Sequence, residues 1–292
     1  MPYLAVRGTN LYYEERGDGT PILLVPPSGA NASTWGTVPD ELTQRGRVIA
    51  YDRRGYGRAG HPNAGHPNAG HPQPTGAVVR TAVTHTADAA TLLEAVTAEP
   101  AVVVGTSAGA TIALDLAVRR PDLVRAVVVH EAPWRALLHP DVSGLGALAR
   151  MQGLAWRGRH DEAADALLRY VYSYREGGSA WDAFPDAWRQ TARANGRQVI
   201  ADLKATLRSY PRRRDLATLT IPVICTYGSR SAPYMRTVMR GLANSIPRAT
   251  LRQIDSAAHA VPFDAPVAFA GVIGDAAEAS ATQSVRAPRS LA

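Results

Sequence analysis

The stretch VVVGTSAGATIAL, residues 102–114, joins an apolar run to a helical pattern through one serine surrounded by small residues. The valines favour a buried strand, and the residues after Ser107 favour a helix. Ser107 is the centre of a Gly-X-Ser-X-Gly pattern, which predicts a nucleophilic serine when it lies between a strand and a helix. Small neighbours are needed there because larger side chains would collide with the adjacent strand or cover the hydroxyl. A glycine-rich structural turn is the alternative interpretation of these five residues alone.

The rest of the chain alternates short β-branched runs with helical patterns, which is typical of an α/β fold. The strand-like runs are YLAV (3–6), LYYEE (11–15), PILLV (21–25), RVIAY (47–51), AVVVG (101–105), VRAVVVH (124–130), PVICTY (222–227) and ATLRQI (249–254). Helical spacing covers residues 34–45, 84–98, 107–119, 234–245 and 265–278.

Residues 135–215 contain no strand-like run and carry helical runs such as DEAADALLRYVYSY and GRQVIADLKATLRSY. We therefore expect a helical cap at 135–215, inserted into a core formed by 1–134 and 216–279, and a disordered tail at 280–292. The cap is rich in aromatic residues, which favour either its internal packing or the roof of a substrate pocket. These residues are Trp156, Trp181, Phe184 and Trp188.

Composition limits the function classes. The chain has 292 residues, of which 46% are hydrophobic and 20% charged, as in ordinary globular proteins. It contains no run of the roughly 18 apolar residues that a membrane helix needs, and its first residues lack the pattern of a secretory signal. We therefore expect a soluble, cytoplasmic protein without a membrane partner. The single cysteine, Cys225, lies in an apolar run and is expected to be a buried, inert thiol.

Neither the basic residues nor the histidines indicate a nucleic-acid or metal site. The formal net charge is +7, but the only dense basic cluster is YPRRRD (210–215), which disfavours nucleic-acid binding. The repeat GHPNAGHPNAGHP (60–72) predicts a surface loop whose His61, His66 and His71 have no fixed geometry for zinc. We expect neither a metal nor an organic cofactor.

A serine hydroxyl becomes a good nucleophile when a base takes its proton, which directs attention to the histidines. His259, in RQIDSAAHAVPFDAP (252–266), follows the last strand-like run and precedes the last helical pattern. In a parallel sheet this position returns to the edge at which the Ser107 strand ends. His259 is therefore the expected base.

Four segments together resemble the α/β-hydrolase family. PILLVPPSGANASTW (21–35) resembles its strand and oxyanion loop, YDRRGYGR (51–58) its fourth-strand segment, GTSAG (105–109) its serine turn and AHAVPFDAP (258–266) its histidine loop. The resemblance covers nearly the whole chain. It implies a mostly parallel, eight-stranded sheet flanked by helices, with the cap inserted, and a small-molecule substrate.

The oxyanion loop departs from the family's usual His-Gly-X, because it reads Pro26-Pro27-Ser28. Proline has no backbone N–H, so Ser28 provides the first possible donor of this loop. The N–H groups of Ser28 and Ala108 are the two expected donors to an oxyanion.

The acid of the family is also displaced. Its aspartate is expected after PVICTYG, but residues 229–231 are serine, arginine and serine. Glu131, in VVVHEAPW (127–134), follows the strand after the Ser107 helix, from which it can reach His259 at the same sheet edge. Ser107, His259 and Glu131 are thus the predicted triad.

One other carboxylate could have the same role. Asp255 lies four residues before His259 and is the alternative acid. Asp52 and Asp264 are expected to be structural.

A serine at this turn favours hydrolysis of a carboxylic ester or a lactone through an acyl-enzyme. LVPPSGA (24–30), VVHEAP (128–133), GGSAW (177–181) and YPR (210–212) resemble the zearalenone-lactonase branch of the family. This resemblance implies that an aromatic lactone is one candidate substrate, with Trp181, Trp188 and Trp134 at its pocket. A carbon–carbon bond hydrolase and a cofactor-free perhydrolase would use the same triad. A non-catalytic ligand-binding protein of the same fold is the alternative outside enzymes.

Overall fold

The computed structural model describes residues 3–59, 82–135, 142–208 and 211–286. These residues contain one eight-stranded sheet with the order β1-β2-β4-β3-β5-β6-β7-β8. The strands are β1 (Tyr3–Val6), β2 (Thr9–Arg16), β3 (Pro21–Val25), β4 (Arg47–Tyr51), β5 (Ala101–Thr106), β6 (Val124–His130), β7 (Val223–Gly228) and β8 (Ala249–Ile254).

Strand β2 pairs antiparallel with β1 and β4, and all other neighbouring strands of the sheet are parallel. The predicted α/β fold with a mostly parallel, eight-stranded sheet is therefore confirmed. Parallel strands covered by helices on both faces are apolar along their whole length. Every residue of β3 and β5 is accordingly buried.

Helices cover both faces of the sheet and form the cap. They are α1 (Val38–Leu42), α2 (Ala82–Val96), α3 (Ala108–Arg119), α4 (Val142–Trp156), α5 (His160–Val171), α6 (Ala180–Ala183), α7 (Asp186–Ala194), α8 (Gly196–Arg208), α9 (Arg213–Leu216), α10 (Pro233–Ala243), α11 (Val261–Asp264) and α12 (Pro266–Arg286).

Two apolar cores lie on opposite faces of the sheet, because successive side chains of a strand alternate between the faces. Val103 of β5 belongs to the core that contains α2, α3 and α10. Its neighbours Val102 and Val104 belong to the core that contains α1 and α12. The residues at the end of β5 are therefore held from both sides.

Helices α4–α8 lie between β6 and β7 in the chain and contribute to a third apolar cluster. This cluster includes Leu167, Trp181 and Val199, together with Tyr56 and Ala260 from the sheet domain. The cap segment thus packs directly on the loop after β4 and on the residue that follows His259.

The largest differences between the structure and the sequence-based boundaries are at two places. Residues 34–45 do not form one helix. A 3-10 helix at Ala32–Trp35 comes first, and α1 follows it. The two are separated at Gly36, because its φ of 57° is incompatible with a continuing helix. Helix α12 continues to Arg286, beyond the predicted end at residue 278. The histidine-proline repeat at 60–72 lies outside the described residues.

Cys225 lies in β7 and is buried. Burial raises the pKa of its thiol to about 12, so the thiolate required for reaction is not formed near neutral pH. Among the described helices, none combines the length and the apolar character that crossing a membrane requires.

Candidate functional site

Ser107 lies at the turn between β5 and α3, with φ 53° and ψ −121°. The glycines on either side are required by close backbone contacts. A Cβ at Gly105 would lie 2.3 Å from the carbonyl oxygen of Gly109, and a Cβ at Gly109 would lie 2.1 Å from that of Val25. The N–H of Ser107 donates to the carbonyl of His130 at 3.0 Å, which ties the turn to β6. The pattern of small residues therefore has a steric origin.

Glu131 follows β6 with a φ of 45°, a left-handed conformation that is uncommon for a residue with a side chain. Its N–H donates to the carbonyl of Thr226 in β7 at 3.1 Å. Its side chain is buried, and Oε2 accepts a hydrogen bond from Nδ1 of His259 at 2.9 Å. The structure thus brings the expected acid and the expected base together.

The second oxygen of Glu131 is held by the segment after β7. Oε1 accepts from the backbone N–H of Gly228 at 3.1 Å and from the hydroxyl of Ser231. Ser231 follows the strand after which the family aspartate was expected. At this position, the chain carries a donor that supports the carboxylate of Glu131.

The charge of Glu131 follows from these neighbours. Burial by itself raises the pKa of this carboxyl, but His130, His259 and the Ser231 hydroxyl favour the ionised form and lower its pKa to about 2. Glu131 is therefore a carboxylate at neutral pH. It orients His259 with a proton on Nδ1, which leaves the lone pair of Nε2 available to accept a proton.

Nε2 of His259 is buried and has no hydrogen-bond partner among the described residues. Ser107 and His259 line the same cavity, without a hydrogen bond between their side chains. Such bonds are often long in the absence of substrate and shorten when it binds. The ring of Tyr172 packs 5.5 Å from the His259 ring and restricts its orientation.

His130 is a second buried histidine beside the pair. Its Nε2 lies 3.0 Å from the carbonyl oxygen of Ala258, and its Nδ1 lies 3.0 Å from the hydroxyl of Thr226. Burial lowers the pKa of His130 to about 4, so its ring is neutral near neutral pH. Nε2 must then carry the proton that Ala258 accepts. His130 therefore attaches the residue before His259 to β6, a role that the local sequence did not indicate.

The remaining carboxylates have other partners. Asp264 accepts from the N–H of Ala258 at 2.8 Å and from the hydroxyl of Tyr174 at 2.8 Å. Asp52 accepts from the backbone N–H groups of Ala32 at 2.8 Å and Arg58 at 2.7 Å.

Asp255, the alternative acid, is exposed and accepts from the amide of Gln253 at 2.9 Å. No contact joins it to His259 among the described residues.

Ser28 and Ala108 line the cavity that contains Ser107 and His259. The N–H of Ala108 is the first of α3 and has no partner within its helix. The N–H of Ser28 donates to none of the described residues. Two backbone donors are therefore available beside the Ser107 turn.

The cavity has two lobes that meet at Ser28 and His259. The first lobe, termed the aromatic lobe, is lined by Trp35, Tyr172, Trp181, Phe184, Trp188 and Phe263. The second, termed the aliphatic lobe, is lined by Leu167, Val171, Val199, Leu203 and Met235 and contains Ser107. Among the described residues that line the two lobes there is no Asp, Glu, Lys or Arg, and His259 is the only histidine. Both lobes therefore suit uncharged groups.

The structure corrects the expected position of Trp134. Trp181 and Trp188 line the aromatic lobe, but Trp134 lines neither lobe. It packs in the core on the α10 side of the sheet, near Gly241, because the chain turns toward that face after Glu131. Trp156 of the cap is 83% exposed and also lies outside the pocket.

Comparisons with known proteins give a family and a shared fold. Residues 22–272 match the profile of the alpha/beta hydrolase family. YraK of Bacillus subtilis (strain 168), an uncharacterized hydrolase, is 39% identical over 136 residues, which cover 47% of this chain and 46% of YraK, about half the length of that relative. RutD of Azorhizobium caulinodans, provisionally named a carbamate hydrolase, is 27% identical over 279 residues, which cover 92% of this chain and 95% of RutD.

Two solved structures share the fold over nearly the full chain. An esterase from Thermogutta terrifontis has a TM-score of 0.73 and 20% identity, with 96% of this chain and 97% of that chain covered. The enol-lactonase from Burkholderia xenovorans LB400 has a TM-score of 0.69 and 20% identity, with 94% and 99% covered.

Proposed function

The chain belongs to the alpha/beta hydrolase family, and from this premise we propose that it is a serine hydrolase that cleaves a carboxylic ester or a lactone. The observation that carries the proposal is the contact of 2.9 Å between Glu131 Oε2 and His259 Nδ1. It joins an ionised acid to a base that lines the same cavity as Ser107. The three residues have the roles of a Ser-His-Glu triad.

In the proposed mechanism, Ser107 Oγ attacks the carbonyl carbon of the substrate while His259 Nε2 takes the hydroxyl proton. Glu131 stabilises the imidazolium that forms. The N–H groups of Ser28 and Ala108 hold the oxyanion of the tetrahedral intermediate.

The intermediate then expels the alcohol, which receives its proton from His259. A water molecule attacks the acyl-enzyme by the same route, with His259 taking its proton, and releases the acid and Ser107. For a lactone, the alcohol stays attached to the acyl group, and one hydroxy acid is released.

The lining of the pocket supports an apolar, uncharged substrate. Aromatic rings prefer offset or edge-to-face contacts with other rings. In the aromatic lobe, the ring centroid of Phe184 lies 5.5 Å from that of Trp188 and 5.1 Å from that of Phe263, both in edge-to-face arrangements. The aliphatic lobe suits an alkyl chain. Aromatic lactones of the zearalenone type combine these two parts and are one candidate. The Burkholderia protein that shares this fold is named an enol-lactonase, which is compatible with a lactone substrate.

Hydrolysis of a small aryl ester and of a macrocyclic aromatic lactone tests the proposal. We expect Ser107→Ala to reduce kcat/KM by at least about 1000-fold, and Glu131→Gln by roughly 100-fold or more. Asp255→Asn is the matched control because Asp255 is an exposed carboxylate without a contact to His259. It should keep its activity.

A wild type that hydrolyses neither compound, and in which a fluorophosphonate does not label Ser107, would contradict the proposal. That result would favour a ligand-binding protein. Labelling of Ser107 without hydrolysis of either compound would instead favour carbon–carbon bond hydrolysis or perhydrolysis by the same triad. Full activity of Glu131→Gln would remove Glu131 from the triad.

A further inference from the structure

A buried carboxylate of the cap, Asp202, contacts the oxyanion loop. Asp202 of α8 is 2% exposed, and Arg53, from the loop after β4, is 1% exposed. Arg53 Nη2 lies 2.8 Å from Asp202 Oδ2, which makes a buried ion pair between the cap and the sheet domain. The predicted triad does not include either residue.

Other groups complete the surroundings of Asp202. The hydroxyl of Tyr56 donates to Oδ2 at 2.9 Å, and the side-chain amide of Gln198 donates to Oδ1 at 2.8 Å. Nε2 of His85 lies 3.5 Å from Oδ1. Although burial raises the pKa of Asp202, the Arg53 charge and these neighbours hold it well below its usual range, so the residue is ionised.

This network reaches two consecutive residues of the oxyanion loop. Arg53 Nη2 donates to the carbonyl oxygen of Pro27 at 3.0 Å. The Ser28 hydroxyl donates to Asp202 Oδ2 at 3.0 Å. The groups that surround Asp202 therefore restrain residues 27 and 28.

The same helix also forms a wall of the pocket. Val199, Leu203 and Thr206 line the aliphatic lobe. Their positions are three residues before, one after and four after Asp202, so they lie on or beside its face of α8. The carboxylate thus holds both a pocket wall and the oxyanion loop.

Stability alone does not explain this arrangement. A buried ion pair gains little over well-packed apolar residues of similar volume, because both charges lose their hydration. Two apolar side chains would attach the cap to the core equally well, but they would hold no carbonyl or hydroxyl of the loop. Directional bonds to residues 27 and 28 are what the charged pair adds.

We propose that Asp202 is a positioning residue, which acts through Arg53 and the Ser28 hydroxyl to hold the Ser28 N–H in the direction of the oxyanion. The inference rests on the proposed hydrolase function. It predicts that loss of Asp202 impairs the transition state more than the binding of substrate, because the oxyanion exists only after attack.

Asp202→Asn tests this role with an aryl ester and with a trifluoromethyl ketone, which forms a tetrahedral adduct on serine. We expect kcat to fall roughly 10- to 100-fold, since small displacements of a catalytic group have such effects, while KM stays within about twofold. Affinity for the ketone should fall in parallel with kcat. Hydrogen exchange of the backbone amides at residues 28–31 should become faster.

Asp88→Asn is the matched control. Arg54, the residue after Arg53, makes a similar pair with the buried Asp88, with Nε and Nη2 each 2.8 Å from a carboxylate oxygen. Asp88 lines neither lobe. This variant should lower Tm while kcat, ketone affinity and amide exchange at residues 28–31 stay near the wild-type values.

The double variant Arg53→Met/Asp202→Leu keeps the test decisive if Asp202→Asn does not fold. It removes both charges together, so no unpaired charge stays buried. We expect a folded protein with low kcat and rapid amide exchange at residues 28–31. Wild-type kcat in either folded variant, or an equal loss in Asp88→Asn, would overturn the inference.

Failure of the proposed function gives a different result. A wild type without esterase activity and without labelling of Ser107 would overturn the hydrolase proposal and the catalytic part of this inference together. Amide exchange at residues 28–31 does not depend on activity. Unchanged exchange in both Asp202 variants would overturn the positioning role by itself, even in an active enzyme.

Discussion

At the scale of single residues, the environment of Glu131 determines what this site can do. Its two oxygens accept from different segments, Oε2 from His259 and Oε1 from Gly228 and Ser231. The carboxylate is therefore fixed in position and charge before it meets a substrate. Donors to the ionised form lower the energetic cost of keeping this group buried.

Ser231→Ala tests whether this support matters for the reaction. Loss of the hydroxyl removes one donor to Glu131 and should lower kcat about tenfold with little effect on KM, because the carboxylate can then shift relative to His259. The free energy of unfolding should fall by about 1–3 kcal/mol, as is usual for a hydrogen bond to a charged group. Steady-state kinetics and chemical denaturation measure the two effects.

Ser245→Ala is the control for Ser231→Ala, since both serines are 8% exposed. Ser245 donates to the carbonyl of Gly241 at the end of α10. It should lose a small amount of stability and no activity. Equal kcat values in the two variants would show that the Ser231 bond has only a structural effect.

At the scale of elements, the turn between β5 and α3 depends on the close approach of α3 to the end of β3. A Cβ at Gly109 would lie 2.1 Å from the carbonyl oxygen of Val25 and 2.8 Å from that of Pro26, and backbone atoms cannot move aside as a flexible side chain could. Ser107 directly precedes the first residue of α3, so any displacement of the helix also displaces the Ser107 hydroxyl.

Gly109→Ala should therefore destabilise the protein by about 3 kcal/mol or more through overpacking. Gly271→Ala is the control: Gly271 lies within α12, and nothing lies within 4 Å of a Cβ at that position. That variant should gain about 0.5–1 kcal/mol, because alanine is the better helix former. Thermal or chemical unfolding of both variants gives the comparison, and a Gly109→Ala protein of wild-type stability would contradict the steric account.

At the scale of the whole molecule, the pocket belongs to neither the cap nor the sheet domain alone. The aromatic lobe combines Trp181, Phe184 and Trp188 of the cap with Trp35 and Phe263 of the sheet domain. Substrate selection and acyl transfer are therefore distributed over segments far apart in the chain.

Trp188→Ala tests the contribution of the cap to selection. We expect KM for an aryl ester to rise about tenfold, the equivalent of losing part of one buried aromatic contact, while KM for a short alkyl ester changes little. Trp156→Ala is the matched control because Trp156 is 83% exposed and lies outside both lobes. Equal changes for aryl and alkyl esters would exclude the aromatic lobe as a selective subsite.

Much of the fold was determined by the local sequence. The period of the apolar residues distinguishes strands from helices. Glycine is required at residues 105 and 109 because a Cβ there would collide with the backbone of a residue four positions away or of the adjoining strand. The location of Glu131 and His259 after strands was predicted for the same reason, since parallel strands end at a common edge. The family resemblance added the strand number.

Which side chains meet depends on contacts between segments that are far apart in the chain. Glu131 and His259 are 128 positions apart, Glu131 and Ser231 are 100 apart, and Asp202 and Arg53 are 149 apart. Trp134 shows the same limit, because its side chain enters the core although its neighbour Pro133 lines the aliphatic lobe. Local patterns specify the period of a segment, whereas the direction of a side chain beyond a strand end depends on how the cap and the loops pack against the sheet.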